Sequence, residues 1–478
     1  MVRTGVGGLG LRRFEMAGSH SITHGQTCRT SRSVPVRLAI LGVGAAALLL
    51  GGCSGSSLPS LPKMSELNPF AEPEKILPGK RIPVMPASTA NGVGGGDLAP
   101  ADRAITLASA VANPDWPQPG GAPSNAPGHL AFGGSGRRAW SVSAGTGSSS
   151  RTRLSVSPIA FGGRIYVIDA AGALSSFSAS GGSRGWRVSL VPEGETAREG
   201  YGGGLAVDGG RLIAATGFGR VMALNPATGA KLWETNVRVP VRAAPTAVNG
   251  QVYVIGADGR VFALNAEDGS EVWSFRGLPQ TTRLIGNPSP AVAGGKVIIP
   301  YPSGDLIALN TEDGLLAWSD SLASTRISGL GNMSDVSRPA IAANVVYAAG
   351  HSGRLAAINL ADGERIWSLN VPGVEAPAIS GNMLFVVDTQ GQLMGIDAKG
   401  GQVVWTVKLP KAASWHGPIL ASSKLWLTSS EGHLLSADAK TGRVLSQPKV
   451  AEKFFMAPIV AGGRLYALSD DGRLMAFN

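Results

Sequence analysis

Side chains able to do nucleophilic, redox or metal chemistry are few and scattered. The 478-residue chain holds two cysteines, Cys28 and Cys53, and six histidines at 20, 24, 129, 351, 416 and 433. No CxxC, His-x3-His or HExxH spacing occurs. A structural zinc site needs four nitrogen or sulfur ligands at close spacing, and a disulfide framework needs paired thiols. No metal site, catalytic residue or cofactor is therefore expected. The thiol with a chemical context is Cys53, which follows an apolar run and two glycines. That placement suits acylation of the sulfur.

Arg29, Arg32 and Arg37 precede the apolar run at residues 38–50, LAILGVGAAALLL. Its 13 residues suit a signal-peptide core and are too short to span a bilayer as a helix. The run closes on Leu50-Gly51-Gly52-Cys53, which resembles the lipobox of bacterial lipoproteins. The resemblance implies a signal peptide over residues 1–52 and lipid on Cys53 as the mature N-terminus. Ser54, in place of Asp, implies sorting to the outer membrane. The bland alternatives are an ordinary secretory signal or a buried free thiol. The 37 residues ahead of the run are long for a signal, so Met16 is a second candidate start. Residues 53–134 are rich in Gly, Pro, Ala and Ser and read as a tether, with a reach near ~50 Å for about 80 residues. Within it, Trp116 in the stretch 113–121, NPDWPQPGG, either docks on the folded domain or stays solvated.

These segments must be served by a folded body of unusual composition. Glycine is 67 of 478 residues, roughly double the usual share, and only 15% of residues are charged. Such a chain favours short strands and tight turns over charged helices. The net charge of +10 is partly the leader's, since residues 1–52 hold six arginines and one acid. The remaining 36 basic and 31 acidic residues are too balanced and dispersed for a nucleic-acid surface.

The body, residues 135–478, repeats one frame eight times. Take Gly172, Gly219, Gly259, Gly304, Gly353, Gly391, Gly432 and Gly472 as position zero. Position +10 is Gly182, Gly229, Gly269, Gly314, Gly363, Gly401 and Gly442. Position +14 is Trp186, Trp233, Trp273, Trp318, Trp367 and Trp405, and then Ser446 as the single failure. Position −14 is proline in every copy except Leu205. Short apolar runs around glycine turns make hairpins, and the frame places four strands in a period of about 43 residues, the size of a propeller blade. The frame tryptophans are expected to pack between blades. The eighth copy reaches Asn478 without its Trp strand, whereas residues 136–140, GRRAW, carry the missing Gly-x3-Trp. An all-β, eight-bladed propeller of four-stranded antiparallel blades is expected, its N-terminal strand closing the last blade and removing an open edge.

The copy at residues 223–233, ALNPATGAKLW, resembles the repeat of quinoprotein-like propellers. Two branches share it. Quinone-dependent alcohol dehydrogenases also carry a vicinal cysteine disulfide, calcium ligands and an Asp base, and no Cys-Cys pair exists here. The alternative reading, a periplasmic pyrroloquinoline-quinone dehydrogenase or ligand-binding propeller, is thereby disfavoured. The other branch is the BamB family of barrel-assembly lipoproteins, which combines a lipobox, a tether and eight such blades. Residues 331–337, GNMSDVS, followed by Pro339, resemble that family's Leu-Ser-Asp-Val-Asp-x-x-Pro, with Asp335 matching the first acid and Ser337 replacing the second. Residues 282–290, TRLIGNPSP, resemble its Leu-x-Leu-Arg-Gly-x-Ser-x-Pro, with Leu284 and Gly286 matching and Ile285 at the Arg position. The resemblance implies a non-catalytic scaffold on the periplasmic face of the outer membrane. It would contact the barrel subunit BamA through Arg283, Leu284, Ile285 and Asp335, and nascent outer-membrane proteins are further candidate partners.

Spacing independently favours that region. All length variation falls between +14 and the next −14, in steps of 18, 19, 12, 17, 21, 10, 13 and 12 residues. Four antiparallel strands per blade bring all eight connections to one face, and long loops on a rigid scaffold are where binding residues usually sit. The steps of 17 and 21 carry Arg283–Ile285 and Asp335. The bland alternative places Leu284 and Ile285 in a core strand and Asp335 at a loop cap.

Overall fold

The computed structural model describes residues 104–277, 288–323, 336–351, 353–373 and 375–478. Its regular elements are all strands among these residues. One blade shows why. Thr246–Val248, Gln251–Ile255, Arg260–Asn265 and Glu271–Arg276 form consecutive antiparallel neighbours. Gly259, at φ +83°, supplies the left-handed turn between the middle pair. Those middle strands bury successive residues on both faces, because each blade is sandwiched between two others. The outer strand exposes most of its residues and buries Trp273.

Eight such four-stranded sheets are present, and the first strands of neighbouring blades touch each other around a central channel. The last sheet is a composite. Arg138–Ser143 pairs with Arg473–Phe477, with Trp140 opposite Ala476 and Val142 opposite Leu474. The expected ring closure is thus formed by chain segments more than three hundred residues apart.

The spacing of Gly +10 and Trp +14 has a physical cause. Each Trp lies on the +10 glycine of the following blade, so close that a Cβ on Gly229 would stand 2.6 Å from the Trp186 ring. The same relation joins Trp233 to Gly269, Trp273 to Gly314, Trp318 to Gly363 and Trp367 to Gly401. In five of these contacts the indole also donates to a main-chain carbonyl of that blade, as Trp186 does to Pro226 at 3.0 Å, Trp273 to Thr311 at 2.9 Å and Trp318 to Leu360 at 2.9 Å, whereas the indole nitrogens of Trp140 and Trp405 are buried without a partner among the described residues. In those five, ring area is buried and the indole N–H is satisfied in one contact.

Residues 104–134, assigned to the tether by composition, pack on the propeller. Trp116 is 1% exposed, which resolves the two readings of that residue in favour of docking. The segment reaches the inner strand of every blade. Trp116 exchanges main-chain bonds with Ala160, Pro117 accepts from Val207, and Gln118 brackets Ala247 with its side-chain amide. Pro123 and Ser124 accept from Val292 and Ile341, while Ala108 donates to the Ser380 hydroxyl. Leu130 bonds Leu420 and Ser422, and Asn113 bonds Val460 and Gly462. These partners lie near the ends of the inner strands, at the hairpin side of the ring. The segment therefore stoppers the channel on the face opposite the long connections.

Candidate functional site

Two regions are open to a functional reading: the face carrying the long connections, and the channel beneath it. On the face, the connection after Glu271–Arg276 runs to Ala291–Ala293, and the connection after Leu316–Ser321 runs to Ala340–Ala342. They flank a single blade. Their described ends are anchored: Leu322 and Val336 are buried, Val336 bridges to Gly350, and Ser337 donates its N–H to Ala349. Arg283, Leu284, Ile285 and Asp335 lie outside the described residues, as does Cys53.

The channel holds a cavity of about 540 Å³, within the size range of small-molecule sites. Trp116, Pro119, Gly120 and Asn125 of the stopper form its floor. Asn125 sits in the left-handed region at φ 55° and donates its side-chain amide to Pro290 at 3.2 Å and Pro339 at 3.0 Å, tying two blades together. The walls come from residues that lead into the inner strands, just before the frame proline. At frame position −15, Ser157, Ala244, Ala376, Gly417 and Ala457, all small, and Arg338 line it, while Gly204 and Ser289 hold the same position in the other two blades. Charged groups gather here. Arg242 stacks on Tyr201 with its guanidinium 4.1 Å from the ring centroid and donates to the tyrosine hydroxyl. Glu375 pairs with His416 at 2.6 Å, and His416 also meets the Ser414 hydroxyl at 3.0 Å. Burial pushes the Arg338 guanidinium below the ordinary arginine pKa, against the opposing charge of Glu375.

Sequence reasoning passed over this cavity, although the frame contains its signal: one arginine in a ring of otherwise small residues. The cavity does not fit the quinone and calcium of the dehydrogenase branch. The chain has no vicinal cysteines, and no group of three or more His, Cys, Asp or Glu side chains is arranged to hold a metal among the described residues.

Comparison with known proteins agrees with this architecture. BamB from Moraxella catarrhalis superposes with a TM-score of 0.62 at 20% identity, covering 71% of this chain and 99% of that one. A quinohemoprotein alcohol dehydrogenase from Comamonas testosteroni also gives 0.62, at 14% identity over 77% and 81% of the two chains. Both likenesses speak for the fold alone. Among sequences, an outer membrane protein assembly factor BamB from Burkholderia pseudomallei is 27% identical over 140 residues, 29% of this chain and 34% of that protein. The corresponding protein of Nitrosomonas eutropha is 27% identical over 214 residues, 44% and 50% of the two. The chain thus spans between a third and a half of the length of these curated relatives. The family profile described as outer membrane protein assembly factor BamB matches residues 170–407 and 395–478, most of the ring. On that match, over more than half of its length, the chain belongs to the BamB family of outer membrane protein assembly factors.

Proposed function

We propose that this protein is a non-catalytic scaffold of outer-membrane β-barrel assembly. It is anchored by lipid on Cys53 at the periplasmic face of the outer membrane and binds a BamA-like barrel subunit. Residues 1–52 act as the signal peptide, and the chain from Cys53 to the docked segment acts as the tether. The family match over residues 170–407 and 395–478 carries this reading. The geometry supports it: among the described residues, the stopper packs on the face of the ring opposite the long connections. On that face Leu284 and Ile285 supply apolar contact, and Arg283 and Asp335 supply charge complementarity. Nascent outer-membrane proteins are further candidate clients.

Affinity purification of the full chain from native membranes tests the reading. A large barrel protein should co-elute with it. Its absence, together with dye-linked alcohol oxidation after addition of pyrroloquinoline quinone and calcium, would reverse the assignment in favour of the dehydrogenase branch.

A further inference from the structure

We propose that the propeller channel is a binding site for a small organic carboxylate, received by Arg338 with help from Arg242. The proposal concerns the channel and stands independently of the partner on the face above it.

The first observation is the ring at frame position −15. Seven blades place Ser, Gly or Ala there, which leaves the channel its width, and the eighth places Arg338. Position alone does not require an arginine, because its neighbours form the same turn without one.

The second observation is what Arg338 lacks. Its Nε is buried without a hydrogen-bond partner, and its Nη1 makes only a long 3.4 Å approach to the Pro119 carbonyl. Protein encloses it closely, yet it keeps partial access to the cavity. A cation withdrawn from water is costly unless paired. The carboxylate nearest in charge terms, Glu375, is engaged by His416 at 2.6 Å. Arg338 is thus a half-buried cation whose counter-charge the described residues do not supply by contact.

The third observation is a second cation of the same kind. Arg242 lines the same cavity, and its Nε is also buried and unpartnered, while its Nη1 is held by Tyr201. The charged side chains of the lining are Arg153, Arg242 and Arg338 against Glu375 and Asp470. Three arginines against two carboxylates leave the lining with an excess of positive charge, which favours an anion. The guanidinium edge offers parallel N–H donors that match the two oxygens of a carboxylate. Leu154, Pro377, Ile379, Phe455 and Met456 supply apolar wall for the ligand's body. A compact carboxylic acid with a flat or apolar frame meets both features.

The test uses benzene-1,3,5-tricarboxylate as probe, titrated calorimetrically into the full chain in detergent. Inorganic phosphate and sodium chloride at matched ionic strength run in parallel. Saturable binding near one per chain is expected for the tricarboxylate. Arg338→Gln should weaken it at least tenfold at an unchanged melting temperature, and Arg338→Lys should restore part of the loss. Should Arg338→Gln fail to fold, Arg242→Gln carries the same expectation of weakened binding. Absence of saturable binding in the wild type overturns the proposal. So does equal binding of phosphate or chloride, or tricarboxylate affinity indifferent to the substitutions in folded protein.

Discussion

The indole of Trp426 packs against Gly136, where a Cβ would stand 3.0 Å from the ring. This contact replaces the one that Ser446 cannot make. In five other blades an aromatic residue stands six before the frame glycine and leans on its own blade's Trp, as Tyr166 does on Trp186 at 5.9 Å, while the Trp reaches the next blade; Ile213 and Ile298 hold that position in the remaining two. In the seventh blade the two roles are merged in Trp426, with Phe132 against its ring at 5.2 Å. Trp426→Ala should lower stability by about 3–5 kcal/mol, the usual cost of emptying a large buried aromatic site. Pairing Trp426→Tyr with Ser446→Trp should recover more stability than Trp426→Tyr alone retains. Denaturant melts of Trp426→Tyr, Ser446→Trp and the double variant check this, and an additive double variant would contradict it.

Ring closure depends on Arg138–Ser143. Deleting residues 136–144 removes that strand, the glycine beneath Trp426, and Trp140 against Tyr466. The last blade would keep an unpaired edge. A marked fall in melting temperature or aggregation is expected. A truncated chain melting like the full one would show that the closing strand is dispensable.

The stopper should be stabilising as well as occluding. Trp116→Ala should cost about 3–5 kcal/mol, and Asn125→Ala about 1–3 kcal/mol through loss of its bonds to the Pro290 and Pro339 carbonyls, of which Pro290 keeps the Thr246 hydroxyl. Both should speed proteolysis within residues 104–134. Wild-type resistance in folded Trp116→Ala would mean that the segment is held by its main-chain bonds alone.

Alkaline pH should unfold the ring through its tyrosines. Burial pushes Tyr166 and Tyr253 up to about 12 from the usual 10.0. Above pH 10 the unfolded chain releases these protons and the folded chain does not, so stability falls as pH rises from 10 towards 12. Below pH 10 neither state releases them and the effect vanishes. Tyr166→Phe should flatten the fall in melting temperature over that window. An unchanged slope would place the alkaline sensitivity elsewhere.

The ring was legible in the sequence because its repeat is a contact. Gly +10 and Trp +14 belong to different blades in space, so each copy must keep both at fixed spacing for its neighbours to dock. The exception at Ser446 was legible as a failure, but its remedy was not, since Trp426 is conspicuous only once Gly136 is placed beside it. The stopper escaped notice for another reason. Its Pro- and Gly-rich chain bonds through main-chain groups at Trp116, Pro117, Pro123 and Ser124, and such bonds leave no periodicity in side chains. Arg338 was available as the odd member of a small-residue ring, but that position becomes meaningful only when the frame is known to face a channel.

The face carrying the long connections is tested most directly by binding of the purified full chain to a purified BamA-like subunit, wild type against Leu284→Ala with Asp335→Ala. Desolvated anchors cost 2 kcal/mol or more on truncation, so the double variant should bind at least about 30-fold more weakly, with circular dichroism and melting temperature near wild type. Equal affinity in a folded double variant, or no binding by the wild type, would contradict the account.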